Sequence, residues 1–436
     1  MSVASPTSRR APGPCEPLPL AVNNATLSVL QTLAGEYGDV VRIPQANERV
    51  AYFINDADAV REILVRQHQR YRKGRGFERV KMLLGNGLIV SDGEVWRRSR
   101  TMVQPAFKPR KLHRLTDHMV ACARSLQRQW RTACDVGESL NITRQTSDFA
   151  LELILISIFG EDLKDVAALA DDERFQFLAP EAGRDLEMVK RVRDLRRWIQ
   201  SVIDMRRTSN RDDDDFLALY LAATDRTGQP FTDKQLLDEM ITLIVAGFET
   251  SANTLNWFWY LISAAPEIES ALLEEIKAAL ALAGGLNADT ATNMPLAQAV
   301  LEETLRLYPP VWLFSRQALE PIEVAGYDIE QGADLYLSPY LLHRHADHWR
   351  DPEAFSPDRF LDRDAPPKAF FPFSLGPRRC IGEYFSFLEM KLHMAVLLPE
   401  FQLARIEPAP PACEFAINLR ARDDIRLMPT RRGRAA

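Results

Sequence analysis

Two short runs near the start, VVRIP at 40–44 and VAYFI at 50–54, are dense in β-branched and aromatic residues and predict strands. Asn55 and Asp56 then supply a cap for a helix through Val60, Ile63 and Leu64. Residues 74–93 mix turn formers with Met82, Leu83, Leu84, Leu88, Ile89 and Val90, an apolar loop that must face core or ligand. From Glu94 the spacing is helical for over two hundred residues. FALELILISIF at 149–159 predicts a buried helix, and 187–208, alternating basic and apolar positions, predicts a surface helix. Asp212 to Asp215 suit a helix N-terminus. Thr232 and Asp233 open a long, nearly continuous apolar helix that Pro266 closes, and a further helix over 296–307 stops at Pro309-Pro310. Beyond it the period shortens: 322–338 predicts short strands, 352–377 a Pro-rich coil, 380–398 a last helix and 413–428 a terminal hairpin. Without a repeat or a mid-chain linker, the pattern predicts one large, mainly α domain with a small β part over 21–436, behind a Pro-rich lead-in over 1–20.

Composition narrows the function classes. The balance of 54 Lys and Arg against 60 Asp and Glu, net −6, is not that of a nucleic-acid-binding protein. Cys15, Cys122, Cys134, Cys380 and Cys413 are an odd set without CxxC spacing. They form neither a disulfide framework nor a zinc signature, and fit a reducing, cytoplasmic setting. Arg9-Arg10 is followed by Pro12, Pro14, Glu16, Pro17 and Pro19, where an export signal needs an apolar helix. Leu236 to Ile262 is long enough to span a bilayer, but Asp238, Glu239 and Glu249 inside it favour a helix buried in a large core.

The sharpest chemical feature is Phe373-Ser-Leu-Gly376-Pro-Arg378-Arg379-Cys380-Ile-Gly382. Its cysteine stands where a Pro/Gly coil enters a helix, beside two arginines, a setting that favours thiolate. Such a sulfur can be a nucleophile, a metal ligand or a structural thiol. Glu303 and Arg306 share one helix face and can pair. Ala246-Gly247 presents almost no side chain in mid-helix, which suits either a flat ligand or tight helix packing, and Glu249-Thr250 follows it with an acid and a hydroxyl.

Taken in order, these motifs resemble the cytochrome P-450 family over roughly residues 20 to 430. F-x-x-G-x-R-x-C-x-G is matched at every fixed position. Glu303-Thr-Leu-Arg306 matches its E-x-x-R, and Phe355-Ser-Pro357-Asp-Arg359-Phe360 matches the segment whose arginine joins that pair. Ala246 to Thr250 matches A-G-x-[DE]-T, with Glu for the commoner Asp, and Trp96 to Arg100 matches W-x-x-x-R. The resemblance implies haem b between the long central helix and the Cys-loop helix, with Cys380 as axial thiolate and Phe373, Gly376, Ala246 and Gly247 around the macrocycle. It implies Trp96, Arg100, Arg316 and Arg378 on the two propionates, and Glu303, Arg306 and Arg359 as structural support. Glu249 and Thr250 would relay protons for insertion of one atom of dioxygen into a lipophilic substrate. The expected pocket lining is Phe77, Leu83, Leu88, Val90, Val311, Trp312, Leu313, Phe314 and Ile417. No reductase-like sequence follows residue 436, so a ferredoxin- or flavodoxin-type donor with its reductase is expected. It would meet a monomer without a membrane anchor on the basic stretch of Arg97, Arg98, Lys108, Arg110, Lys111 and Arg114. A peroxide-driven haem-thiolate enzyme, a haem sensor and a cysteine hydrolase are the alternatives. Between Gly160 and 187, where the family places the helix pair covering the pocket, the chain is several turns short.

Overall fold

The computed structural model describes residues 9–46, 48–163, 186–209, 211, 213–361 and 367–433; the side chains of residues 79, 83 and 186–192 lie outside that description. The structure is mainly helical with a small β part, as the hydrophobic pattern predicts. Its centre is the helix Asp233–Ile262, which starts with a capping box: Gln235 N–H donates to Thr232 Oγ1 at 3.3 Å and Thr232 N–H to Gln235 Oε1 at 3.1 Å. Helices Ile142–Phe159 and Glu383–Leu397 pack against it, and Thr116–Val136 packs on both of them. Trp130, Trp257 and Trp259 are buried among them, and the Trp259 indole donates to His393 Nε2 at 2.9 Å, tying the central helix to the helix after Cys380. Among the described residues no helix is long and apolar enough to cross a membrane.

A five-stranded sheet lies to one side, in the order Val40–Pro44, Val50–Ile54, Asp334–Leu337, Phe314–Ala318, Tyr71–Lys73. The second and third strands are parallel and the other pairings antiparallel. The edge strand Tyr71–Lys73 is absent from the sequence pattern because it is three residues long and exists only by pairing with Ala318 to Arg316.

Four local expectations change. Residues 413–428 are not one hairpin: Cys413–Phe415 pairs with Leu419–Ala421, whereas Arg426–Arg431 pairs with Phe401–Arg405 and Leu140–Asn141 in another sheet. Pro266 does not close the central helix, which ends at Ile262; it opens the next one, Pro266–Ala283. The last helix begins at Glu383, so Cys380 stands before it in coil. The acidic run is not a simple helix start. Asp215 caps Phe216–Leu221, but Asp213 and Asp215 also bind buried Arg206 at 2.7 and 2.6 Å, a guanidinium that Asp162 contacts as well. Asp212 lies outside the described residues.

Candidate functional site

The coil leading to Cys380 is held from beneath by a knot of charges. Arg306 Nε and Nη2 donate to the two Glu303 oxygens at 2.7 and 2.8 Å, with neither residue exposed. The remaining Arg306 protons reach the carbonyls of His343, Pro352 and Ala354, and Glu303 accepts Ser356 N–H at 2.8 Å and lies 3.4 Å from Arg359 Nε. His343 Nε2, buried and kept neutral by burial beside Arg306, accepts Phe371 N–H at 3.0 Å. The two helical side chains thereby fix three points of one coil.

The Cys loop turns on Gly376. Its φ of +66° is the left-handed region, and a Cβ there would stand 2.2 Å from the Leu64 carbonyl oxygen, so glycine is required twice over. Cys380 N–H donates to Phe373 O at 2.9 Å, and the Phe373 ring packs against Phe387 at 5.4 Å. The Cys380 side chain keeps accessible surface, although the protein around it pushes its thiol pKa up by desolvation. Gly382 N–H, Arg100 and Arg379 oppose the rise and Glu383 adds to it. The loop backbone and Arg379 act toward thiolate as the sequence suggests, and burial acts against them. Arg379 is paired to Glu383, and Arg378 is directed to Asp92.

Arg378 instead donates to Ser91 O at 2.8 Å, pairs with Asp92, and stacks over the Trp96 ring at 4.1 Å. Trp96 and Arg100 follow one turn apart on the helix Gly93–Val103. Asp92, at that helix's N-cap position, gives its carboxylate to Lys73 N–H at 3.0 Å and to Arg378 rather than to its own helix. Across the sheet Lys73 and Arg316 are direct partners, a like-charged pair in a place where such pairs destabilise. Arg316 is buried, and its side chain's hydrogen bond goes to the carbonyl of neighbouring Ser315. Burial, with Arg378 adding repulsion, pushes its pKa down to about 10; burial, Arg316 and Arg378 push Lys73 well below the ordinary lysine value. Asp92 alone opposes both shifts. Three enclosed cations thus share one carboxylate, and this donor set fits a ligand carrying two carboxylates, as haem does. Lys73 and Asp92 escaped the sequence reading; the strand register that brings Lys73 to Arg316 has no local signature.

On the central helix Ala246 is half-buried, but Gly247 does not serve a flat ligand. A Cβ at 247 would stand 2.7 Å from Ile154 Cδ1, so this glycine packs against Ile142–Phe159. Thr250 Oγ1 donates to Ala246 O at 2.8 Å. Glu249 bonds Asn418 and lies near Arg420 on the terminal hairpin; burial raises its pKa against both.

The expected lining divides. Val311 and Ile417 keep free surface, Leu88 is half-buried, and Val90, Leu313 and Phe314 are buried. The Phe77 ring lies 4.3 Å from Lys73 Nζ, at the cationic end. Trp312 is not lining: it is fully buried, its indole donates to Ala416 O at 2.8 Å and its ring packs on Phe415, so it braces the hairpin. The Leu83 side chain lies outside the described residues. The basic stretch divides as well. Arg98 binds Asp225, Gln229 O and Pro230 O, Arg97 pairs with Glu94 and Arg114 with Asp214, while Lys108, Arg110 and Lys111 are exposed.

The chain matches the family model described as Cytochrome P450 over residues 12–417. It is 30% identical to cyclooctatin synthase of Streptomyces melanosporofaciens over 87% of this chain and 88% of that protein. It is 29% identical to pentalenene oxygenase of Streptomyces avermitilis over 85% of each. A solved structure titled "Retinoic acid bound cyanobacterial CYP120A1" superposes with a TM-score of 0.85 at 24% identity, covering 98% of this chain and 100% of that one.

Proposed function

The chain belongs to the cytochrome P450 family and is a monooxygenase, and on that premise we propose that it oxidises a terpenoid-like hydrocarbon with electrons from a separate ferredoxin- or flavodoxin-type donor. What supports the cofactor placement is the charge imbalance around Lys73, Arg316 and Arg378, the last of which stands two residues before Cys380 in its loop. The names of the two bacterial relatives support the substrate class, as does the apolar character of Val311, Leu313, Phe314 and Ile417.

Cys380 would hold the haem through its thiolate, and the haem would supply the activation of dioxygen. The protein's part follows from its own groups. Lys73, Arg316 and Arg378 would take the two carboxylates and lose their mutual repulsion, and the Trp96 indole would supply a further N–H. Gly382 N–H faces the sulfur and steadies its negative charge. The Thr250 hydroxyl gives its proton to Ala246 O and keeps its lone pairs for a donor inside the pocket. Glu249 follows on the same helix as the group to exchange the next proton; burial raises its pKa, and the amide of Asn418 donates to its carboxylate from the hairpin. Lys108, Arg110 and Lys111 form the docking patch for an acidic electron donor.

Two measurements test this reading. The reduced carbonyl complex of the wild type should show the red-shifted thiolate band and Cys380→Ser should lack it; a surviving band rejects the ligand. Product, peroxide and reductant are then counted together on a panel of terpenes. Thr250→Ala should bind haem normally and divert reductant into peroxide. Unchanged coupling rejects the relay, and turnover sustained by peroxide but not by reductant with dioxygen favours the peroxide-driven alternative.

A further inference from the structure

Eight and seven residues before Ala246, about two turns up the central helix, stand Asp238 and Glu239, the second on nearly the same face. Both are carboxylates at 3% and 2% exposure, an arrangement that is costly unless each charge is answered. What answers them is the loop at 85–88. Asp238 accepts Asn86 N–H at 3.0 Å and binds Arg196 of the helix Leu186–Thr208 at 2.7 Å. Glu239 accepts Leu88 N–H at 3.1 Å, and the Ser99 hydroxyl bonds it as well. The loop can lie this close because two of its residues lack side chains. A Cβ at Gly85 would stand 2.1 Å from Asp238 Oδ1, and one at Gly87 would stand 2.1 Å from Thr242 Oγ1 and 2.6 Å from the Asp238 carbonyl oxygen.

We infer that Asp238 and Glu239 are positioning residues for substrate recognition, clamping residues 85–88 onto the central helix and so setting where Leu88 stands in the pocket wall. The inference rests on reading that space as the substrate pocket. The two acids differ in kind. Asp238 has a cation; Glu239 has only neutral donors, with Asp238 beside it on its own helix, Tyr220 facing it from Phe216–Leu221, and Arg100 across from Tyr220. Burial lifts the Glu239 pKa to about 7, against the pull of Leu88 N–H and Ser99. Ionised, Glu239 holds the Leu88 N–H by a charge-assisted bond; protonated, it is a weaker acceptor and the loop loosens. The clamp is therefore tight above neutrality and slack below it.

The ferric holoprotein is titrated with pyridine, which needs little room, and with 4-phenylpyridine, which must pass the wall, at a pH well below and a pH well above 7. In the wild type the affinity ratio should shift by at least about threefold, with the larger ligand disfavoured at high pH. Glu239→Gln should flatten that profile near its low-pH value. Gly87→Ala should move the ratio the same way by lifting the loop, and pyridine alone should bind each variant as it does the wild type. Leu88→Ala is the reference for the wall. The inference is overturned if the wild-type ratio ignores pH and Glu239→Gln and Gly87→Ala leave it unmoved while Leu88→Ala moves it. If Leu88→Ala is silent too, the pocket reading has failed and the inference falls with it. Should a variant fail to retain haem, the wild-type titration decides alone.

Discussion

Two groups of buried charges flank the Cys380 loop, and they are built on opposite principles. In the Glu303–Arg306 knot each side chain is buried and richly answered, by the other and by backbone groups from residues 343 to 356. In the Lys73–Arg316–Arg378 group three cations face one carboxylate, and two of them are strand partners of like sign. The first has spent its electrostatics on the fold. The second holds part of its own in reserve, which only an added anion can release. Buried charge of either kind costs several kcal/mol to desolvate; what separates a strut from a binding site is whether the protein itself supplies the counter-charge.

The largest break of this contrast is Arg306→Ala. It leaves Glu303 buried without its partner and three carbonyls without a donor, and should cost about 3–5 kcal/mol. The expected outcome is protein that retains no haem and melts early, measured by haem content and urea unfolding. Lys73→Met should act with the opposite sign on the haem-free protein. Removing one of two opposed cations should stabilise it by about 1 kcal/mol, yet haem should dissociate faster, by about tenfold for each ~1.4 kcal/mol of lost attraction. A variant that destabilises both forms would place Lys73 with the struts.

A pH series sharpens the same point. Because burial and neighbouring cations hold Lys73 below its ordinary pKa, the unfolded chain binds more protons than the folded haem-free one. Stability of that form should therefore rise with pH up to the ordinary lysine value of about 10.4. Haem supplies the missing anions, so the holoprotein slope should be shallower; equal slopes in urea midpoints would contradict the reserve. The smallest effect concerns the exposed cations. Charge reversal at Lys108, Arg110 and Lys111 should slow reduction by an acidic donor by about tenfold at low salt and less at high salt. Arg98→Ala should lower stability with little change in docking, because Arg98 is occupied by Asp225 and the 229–230 carbonyls.

How far these features were legible depends on the range of the interaction that makes them. Glu303 and Arg306 sit three apart on one helix, and the Cys loop is contiguous, so both were visible in the sequence. The start of helix Asp233–Ile262 was visible too, since Thr232 and Asp233 mark it, whereas the partner of Thr232 in the cap, Gln235, and the helix end at Ile262 were not. Lys73 was not, because its meaning comes from a strand register across more than two hundred residues. Gly247 looked like room for a ligand until Ile154 was seen to fill it. Trp312 looked like pocket lining because hydropathy cannot say where an indole N–H will find its carbonyl. The split of 413–428 between two sheets was hidden for the same reason as Lys73: pairing partners are chosen far away.

The notch at Gly376 has a consequence for where the sulfur's position is set. The loop before Cys380 rests, through a missing Cβ, against the Leu64 carbonyl, on a segment that follows the strand Val50–Ile54. The sulfur's coordinates are therefore referenced to the sheet side of the molecule as well as to the helix that follows it. Transplanting the ten-residue motif into another helical protein would carry the ligand but not its datum. A faithful graft would have to bring residues 62–66 along, or rebuild a flat backbone seat for Gly376.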